Sequence, residues 1–307
     1  MYVSDPFLEA EQYRDNLMLQ SEAEIRRFYE HSYVIISNRI DRLSDRTDES
    51  SVARRLYFEE LRGEIQQQLG YIDGNLNTLI TGNVNDMLSY TMSVNSAYLN
   101  QMGFNYYTTN PAIIADMSNR VLTGQLYGGN WTLSNAIWGN SAAIQNDINR
   151  IIARGILQGQ STYQIAKRIE KYVNPDYTRI VASGTRGRVD YNAQRLARTT
   201  IQHAYQEAFV RATINNPFII GYQWETSGMP NVCGLCAERE TQDDYGLGEG
   251  VFPKDELPLD HPNGNCTFSI VSVYSENEIQ DMIDDWENNT GDFEMDGDIQ
   301  YFIDDLF

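Results

Sequence analysis

The sequence predicts an α+β fold that is predominantly α-helical, with long N-terminal helices followed by a small α+β module. Three observations predict it. Apolar residues recur at helical spacing through the first half, the period becomes strand-like after residue 217, and all three cysteines of the 307-residue chain fall within 34 residues.

The first helix is expected from Leu17, Ile25, Phe28, Ile36, Ile40 and Leu43, which lie at spacings near three, four or their sums. Phe58, Leu61, Ile65, Leu69, Ile72, Leu76 and Leu79 continue that rhythm for a second, and the polar SDRTDESS (44–51) reads as the turn between them. Gly63, Gly70 and Gly74 interrupt the second stripe, each at a cost of about 1 kcal/mol against Ala. Residues 103–143, rich in Asn, Gly, Tyr and Trp, predict short helices separated by turns, and a longer helix is expected from about residue 141.

Ser161 and Gln164 form a capping box for the next helix, Ile165, Ile169, Tyr172 and Val173 supply its apolar face, and Pro175 enforces its stop. SGTRGRVD (183–190) reads as a loop. It leads to a helix over YNAQRLARTTIQHAYQEAFVRATINN, packed through Leu196, Ile201, Ala204, Ala208 and Ala212. FIIGYQWET and CTFSIVSVY (266–274) then read as paired strands. Three segments are expected: a helical region over 1–149, a module over 150–275, and an acidic amphipathic tail over 276–307.

Charge divides along similar lines. The net charge is −20, yet residues 150–200 carry ten Lys and Arg against three acids, and residues 276–307 carry twelve acids and no base. Such a balance excludes a wholly basic nucleic-acid-binding chain, and 41% hydrophobic with 11% aromatic residues excludes a wholly disordered acidic one. The amino terminus has no basic start leading into an apolar stretch, so no secretory signal is expected, and no apolar run approaches the roughly 18 residues of a membrane span.

The sharpest chemical signal is Cys233-Gly-Leu-Cys236, followed after 24 intervening residues by His261 and after four more by Cys266. A Cys-x2-Cys turn aims two thiolates at one ion, and a distant His and Cys complete a tetrahedron, so the expected cofactor is a structural zinc ion held by Cys233, Cys236, His261 and Cys266. Such a closed set leaves no coordination position for a substrate water. The competing reading is three small buried thiols. Against it stand the crowding of the cysteines and the weak apolar patterning between them. A redox Cys-x2-Cys would need a βαβ context that is missing here. His31 and His203 read as structural histidines, and Asp243-Asp244 and Asp255-Glu256 as solvated turns. No phosphate-cradling glycine loop occurs.

Five pieces in order, GILQGQSTYQIAKRIEKY, AQRLARTTIQHAYQEAF, GYQWET, CGLCAERE and HPNGNC, resemble the phage Mu F-like minor head proteins, the phage head morphogenesis family. The resemblance covers a little over a third of the chain. Where the family commonly has Arg-Thr-Glu this chain has Arg198-Thr199-Thr200, and Gly264 stands at the first cysteine of a common His-Pro-x-Cys-Arg-Cys ending whose second is Cys266. The resemblance implies a non-enzymatic virion component made in the host cytoplasm. Such a protein docks on the portal or capsid shell, at the head interior or portal vertex, and assists head assembly and genome packaging or ejection.

Within the basic band, Arg179, Arg186, Arg188, Arg195 and Arg198 are candidates for phosphate contacts with packaged DNA; the alternative is that the band pairs with acidic surfaces. In the tail, Ile279, Ile283 and Trp286, with Met282 and a Ser275/Glu278 capping box, and then Phe302 and Leu306, are spaced as two short helices that dock in a groove of this chain or a partner. Competing classes are a toxin-like or transferase enzyme module, a zinc hydrolase, and a DNA-binding accessory protein. The closed ligand set opposes the hydrolase, and the expectation of no further domain after residue 307 opposes the toxin.

Overall fold

The computed structural model describes residues 6–42, 50–101, 110–127, 132–172, 174–180, 186–188, 190–228 and 232–288. It is an α+β fold dominated by helices: α1 (Pro6–Asp41), α2 (Ser51–Gln101), α3 (Pro111–Thr123), α4 (Leu133–Leu157), α5 (Thr162–Glu170), α6 (Tyr191–Thr213), α7 (Gly234–Thr241) and α8 (Glu276–Asn288). The strands are β1 (Thr178–Ile180), β2 (Arg186–Arg188), β3 (Ile219–Glu225), β4 (Val251–Pro253) and β5 (Thr267–Ser272). Two compact units result, one from residues 1–17, 83–121 and 199–307, the other from 18–82 and 122–198. The boundaries expected at 149/150 and 275/276 fall inside the second and the first of these.

In the unit of residues 18–82 and 122–198, Ile36 and Ile40 of α1, Phe58, Leu61 and Ile65 of α2, Ile144, Ile148 and Ile152 of α4, and Ile165 and Ile169 of α5 form one buried cluster. The helical spacing of the sequence is the cause, with two shifts of one position. Tyr29 and Ile80 are buried where Phe28 and Leu79 are only partly so, because they lie four residues from Ile25 and Leu76 on the same face. Leu43 and most of the expected turn lie outside the described residues.

α4 starts at Leu133, earlier than the sequence suggests, because Thr132 caps it by accepting the Asn135 N–H. α5 opens on the reciprocal Ser161/Gln164 capping box. Gly155 lets α4 approach α5: a Cβ there would lie 2.4 Å from Ile165 Cγ1. The segment expected as a loop, 183–190, contains β2, which pairs antiparallel with β1 just before it, Arg179 opposite Gly187.

In the other unit, an antiparallel sheet in the order β4-β3-β5 packs Tyr222, Trp224 and Phe268 with Tyr205 and Phe209 of α6. The β3–β5 pairing follows the alternation of the sequence; β4, three residues long, is too short to show any. Gly221 is required where β3 meets it, since a Cβ would lie 2.5 Å from the Phe252 carbonyl oxygen. Ile279 and Met282 of α8 are buried, whereas the side chains of Ile283 and Trp286, and all of Phe302 and Leu306, lie outside what the structure describes. No helix among the described residues is long and apolar enough to cross a membrane.

Candidate metal centre

The knuckle forms at a helix start. Cys233 is the N-cap of α7, its Sγ accepting the Cys236 N–H at 3.4 Å, which turns both sulfurs to one side. α7 is tied to the sheet by Glu240, which accepts from Thr226 N and Oγ1 at 2.9 Å, and by Arg239, stacked 4.6 Å above the Trp224 ring. His261 and Cys266 arrive on the loop that leads into β5.

These four side chains come together in two overlapping groups. Cys233 Sγ lies 3.2 Å from His261 Nε2, and Cys236 Sγ lies 3.4 Å from Cys266 Sγ. Ligand atoms of Cys233, Cys236 and His261 lie within 4.8 Å of one another, as do those of Cys236, Cys266 and a residue sequence reasoning missed, Asp260. A tetrahedral metal with bonds of about 2.1–2.3 Å holds its donors roughly 3.5–3.8 Å apart, and the Cys233–His261 and Cys236–Cys266 pairs lie near that spacing, with Cys236 shared between the two groups. His261 Nδ1 faces the Pro262 carbonyl at 3.1 Å and must donate to it, which leaves the Nε2 lone pair toward Cys233. The cluster could therefore hold a metal ion.

Its electrostatics favour a cation. The Cys236 N–H, and then the nearby His261, lower the pKa of exposed Cys233, whereas burial raises those of Cys236 and Cys266. Two buried thiols that resist ionisation need a positive partner to become thiolates, and a coordinated metal supplies it.

The loop is held by hydrogen bonds to one face of α6. Thr199 Oγ1 accepts the Asn263 N–H at 2.9 Å; Gln202 Nε2 donates to the Cys266 carbonyl at 2.7 Å and to Asp260 Oδ2 at 3.1 Å. His203 Nε2 donates to the Asp260 carbonyl at 2.9 Å. Gln206 donates to the Pro258 carbonyl and accepts the Asp260 N–H. Positions 199, 202, 203 and 206 follow helical spacing, so a polar stripe beside the apolar one was visible in the sequence, though not what it would bind.

Asp260 is the hub. Its buried carboxylate accepts the His261 N–H at 2.7 Å, the Cys266 N–H at 3.1 Å and the Gln202 amide, thereby fixing both loop ligands. Gly264 is compelled by it, because a Cβ there would lie 2.2 Å from the carboxylate oxygens. Arg14 of α1, 2% exposed, adds a second donor to the Cys266 carbonyl at 3.1 Å.

The other expected site residues are not gathered here. Arg179, Arg186 and Arg188 lie on the β1–β2 ribbon, and Arg195 and Arg198 on α6, where Arg198 forms an ion pair with Glu22. His31 packs on Tyr71, and Asp243 accepts the Gly248 N–H in a turn. Comparison with protein-family models, characterised proteins and solved structures finds no match to this chain.

Proposed function

We infer that this chain is a structural protein whose sheet-bearing module is stapled by one zinc ion, and that it serves as a minor head protein of a tailed bacteriophage. The observation that carries the metal part is the convergence of Cys233, Cys236, His261 and Cys266, with two ligands fixed through Asp260 to α6. Three thiolates and an imidazole suit zinc, and a set of four protein ligands fills its tetrahedron. The ion acts as a cross-link between α7 and the loop entering β5, a role that calls for no substrate.

The head-protein reading is supported by the ordered sequence pieces that resemble the Mu F-like family, three of which build this centre: the α6 helix, the knuckle and the closing loop. Docking on the portal or inner capsid is its expected action, during head assembly and genome packaging or ejection.

Metal analysis of the purified chain tests the first part. About one zinc per chain is expected, with Cys236→Ser and His261→Ala losing it and melting at lower temperature; zinc-free protein of unchanged stability would remove the staple. Quantifying the protein in purified particles tests the second, and absence from proheads and virions alike would defeat it.

A further inference from the structure

α4 and α5 bring four cations to one pocket. Arg150 and Arg154, four residues apart on α4, and Arg168 and Lys171, three apart at the end of α5, line a cavity of about 260 Å³ with Asp147 and Tyr177. Asp147 pairs with Arg150 at 3.3 Å, whereas among the described residues no carboxylate lies within 4 Å of a charged nitrogen of Arg154, Arg168 or Lys171. Two of these are oriented by neutral groups: Arg168 Nη1 donates to Gln160 Oε1 at 3.0 Å, and Lys171 Nζ sits 5.5 Å over the Tyr177 ring.

A helix dipole favours basic residues in a last turn, which accounts for cations at the end of either helix singly. It does not account for both sets converging on one concavity, where like charges repel. In a chain of net charge −20, that convergence is a local excess of three positive charges looking for a multivalent anion.

We propose that this pocket binds a phosphate group. Guanidinium forks match tetrahedral oxyanions with paired donors, which a monovalent carboxylate would only partly use. The volume lies below the roughly 300 Å³ at which drug-sized sites begin, so the pocket takes a compact charged group and leaves the rest of its bearer outside. A soluble polyphosphate and a nucleic-acid backbone both present that group.

Calorimetric titration of the full chain with tripolyphosphate tests this. One saturable site per chain is expected, weakening at least threefold between about 50 and about 200 mM salt. Arg154→Gln with Arg168→Gln should weaken it tenfold or more, and Lys171→Gln alone threefold, with helical content unchanged. Arg27→Gln, a change at an exposed arginine on α1, should leave binding intact. No saturable binding at low salt, or equal loss in Arg27→Gln, overturns the proposal. Competition by a short duplex DNA then separates the sources: displacement assigns the phosphate to a nucleic-acid backbone, and binding without displacement assigns it to a free polyphosphate.

Discussion

Asp260 concentrates more of the metal loop's order than any ligand does. Replacing it with Asn removes one acceptor oxygen and turns an NH2 group toward donors already in place. Asp260→Asn should cost about 1–3 kcal/mol of stability and weaken metal binding about 10–100-fold, measured by urea unfolding and by competition with a chelator. His203, beneath the same loop, makes a separate prediction. Burial lowers its pKa below the ordinary value of about 6.5, so the fold holds it neutral while the unfolded chain takes up a proton. Its contribution is complete above pH 6.5 and is lost as pH falls toward the folded-state value. Unfolding free energy should therefore drop between pH 7 and pH 5.5 more steeply in the wild type than in His203→Gln, and parallel profiles would refute this. That the three cysteines and His261 come together was legible in the sequence because soft donors at knuckle spacing have few other uses. Asp260 and Arg14 were not, since their value depends on which helix lies behind the loop.

Among the elements, glycine position separates two opposite outcomes. A Cβ at Gly63, Gly70 or Gly74 of α2 would meet nothing within 4 Å, so each Gly→Ala change should stabilise by about 0.5–1 kcal/mol. Gly155→Ala gains the same propensity but drives a methyl into buried Ile165. A net loss of about 1–3 kcal/mol is expected by chemical denaturation, and equal gains at all four sites would contradict the packing described for α4 and α5. Elements with long periodic faces or strong caps were readable in advance: α1, α2, α5, and the β3–β5 pair. The β1–β2 ribbon and β4 were not, because three residues carry no period and their pairing is decided by backbone neighbours distant in sequence. The start of α4 was missed because Thr132 sits in a stretch whose composition suggests turns.

At the scale of the whole molecule, net charge outweighs individual ion pairs. Among the described residues, exposed pairs such as Arg55–Glu59 and Arg27–Glu24 contribute about 0–1 kcal/mol each. Repulsion within a chain of −20 is longer in range and is screened as the Debye length shortens. Raising sodium chloride from about 0.02 to about 0.2 M should lift the melting temperature by a few degrees, and a fall would assign the surface pairs the larger role. The polar seat on α6 bears on how a metal ion would be acquired. Asp260, Gln202, His203 and Thr199 fasten the loop through its backbone and without touching any ligand atom. An incoming ion would thus meet the loop that carries His261 and Cys266 already fastened in place. Cys233 is the exposed cysteine of the set while Cys236 and Cys266 are buried, which makes the Cys233 side the gate for both loading and release.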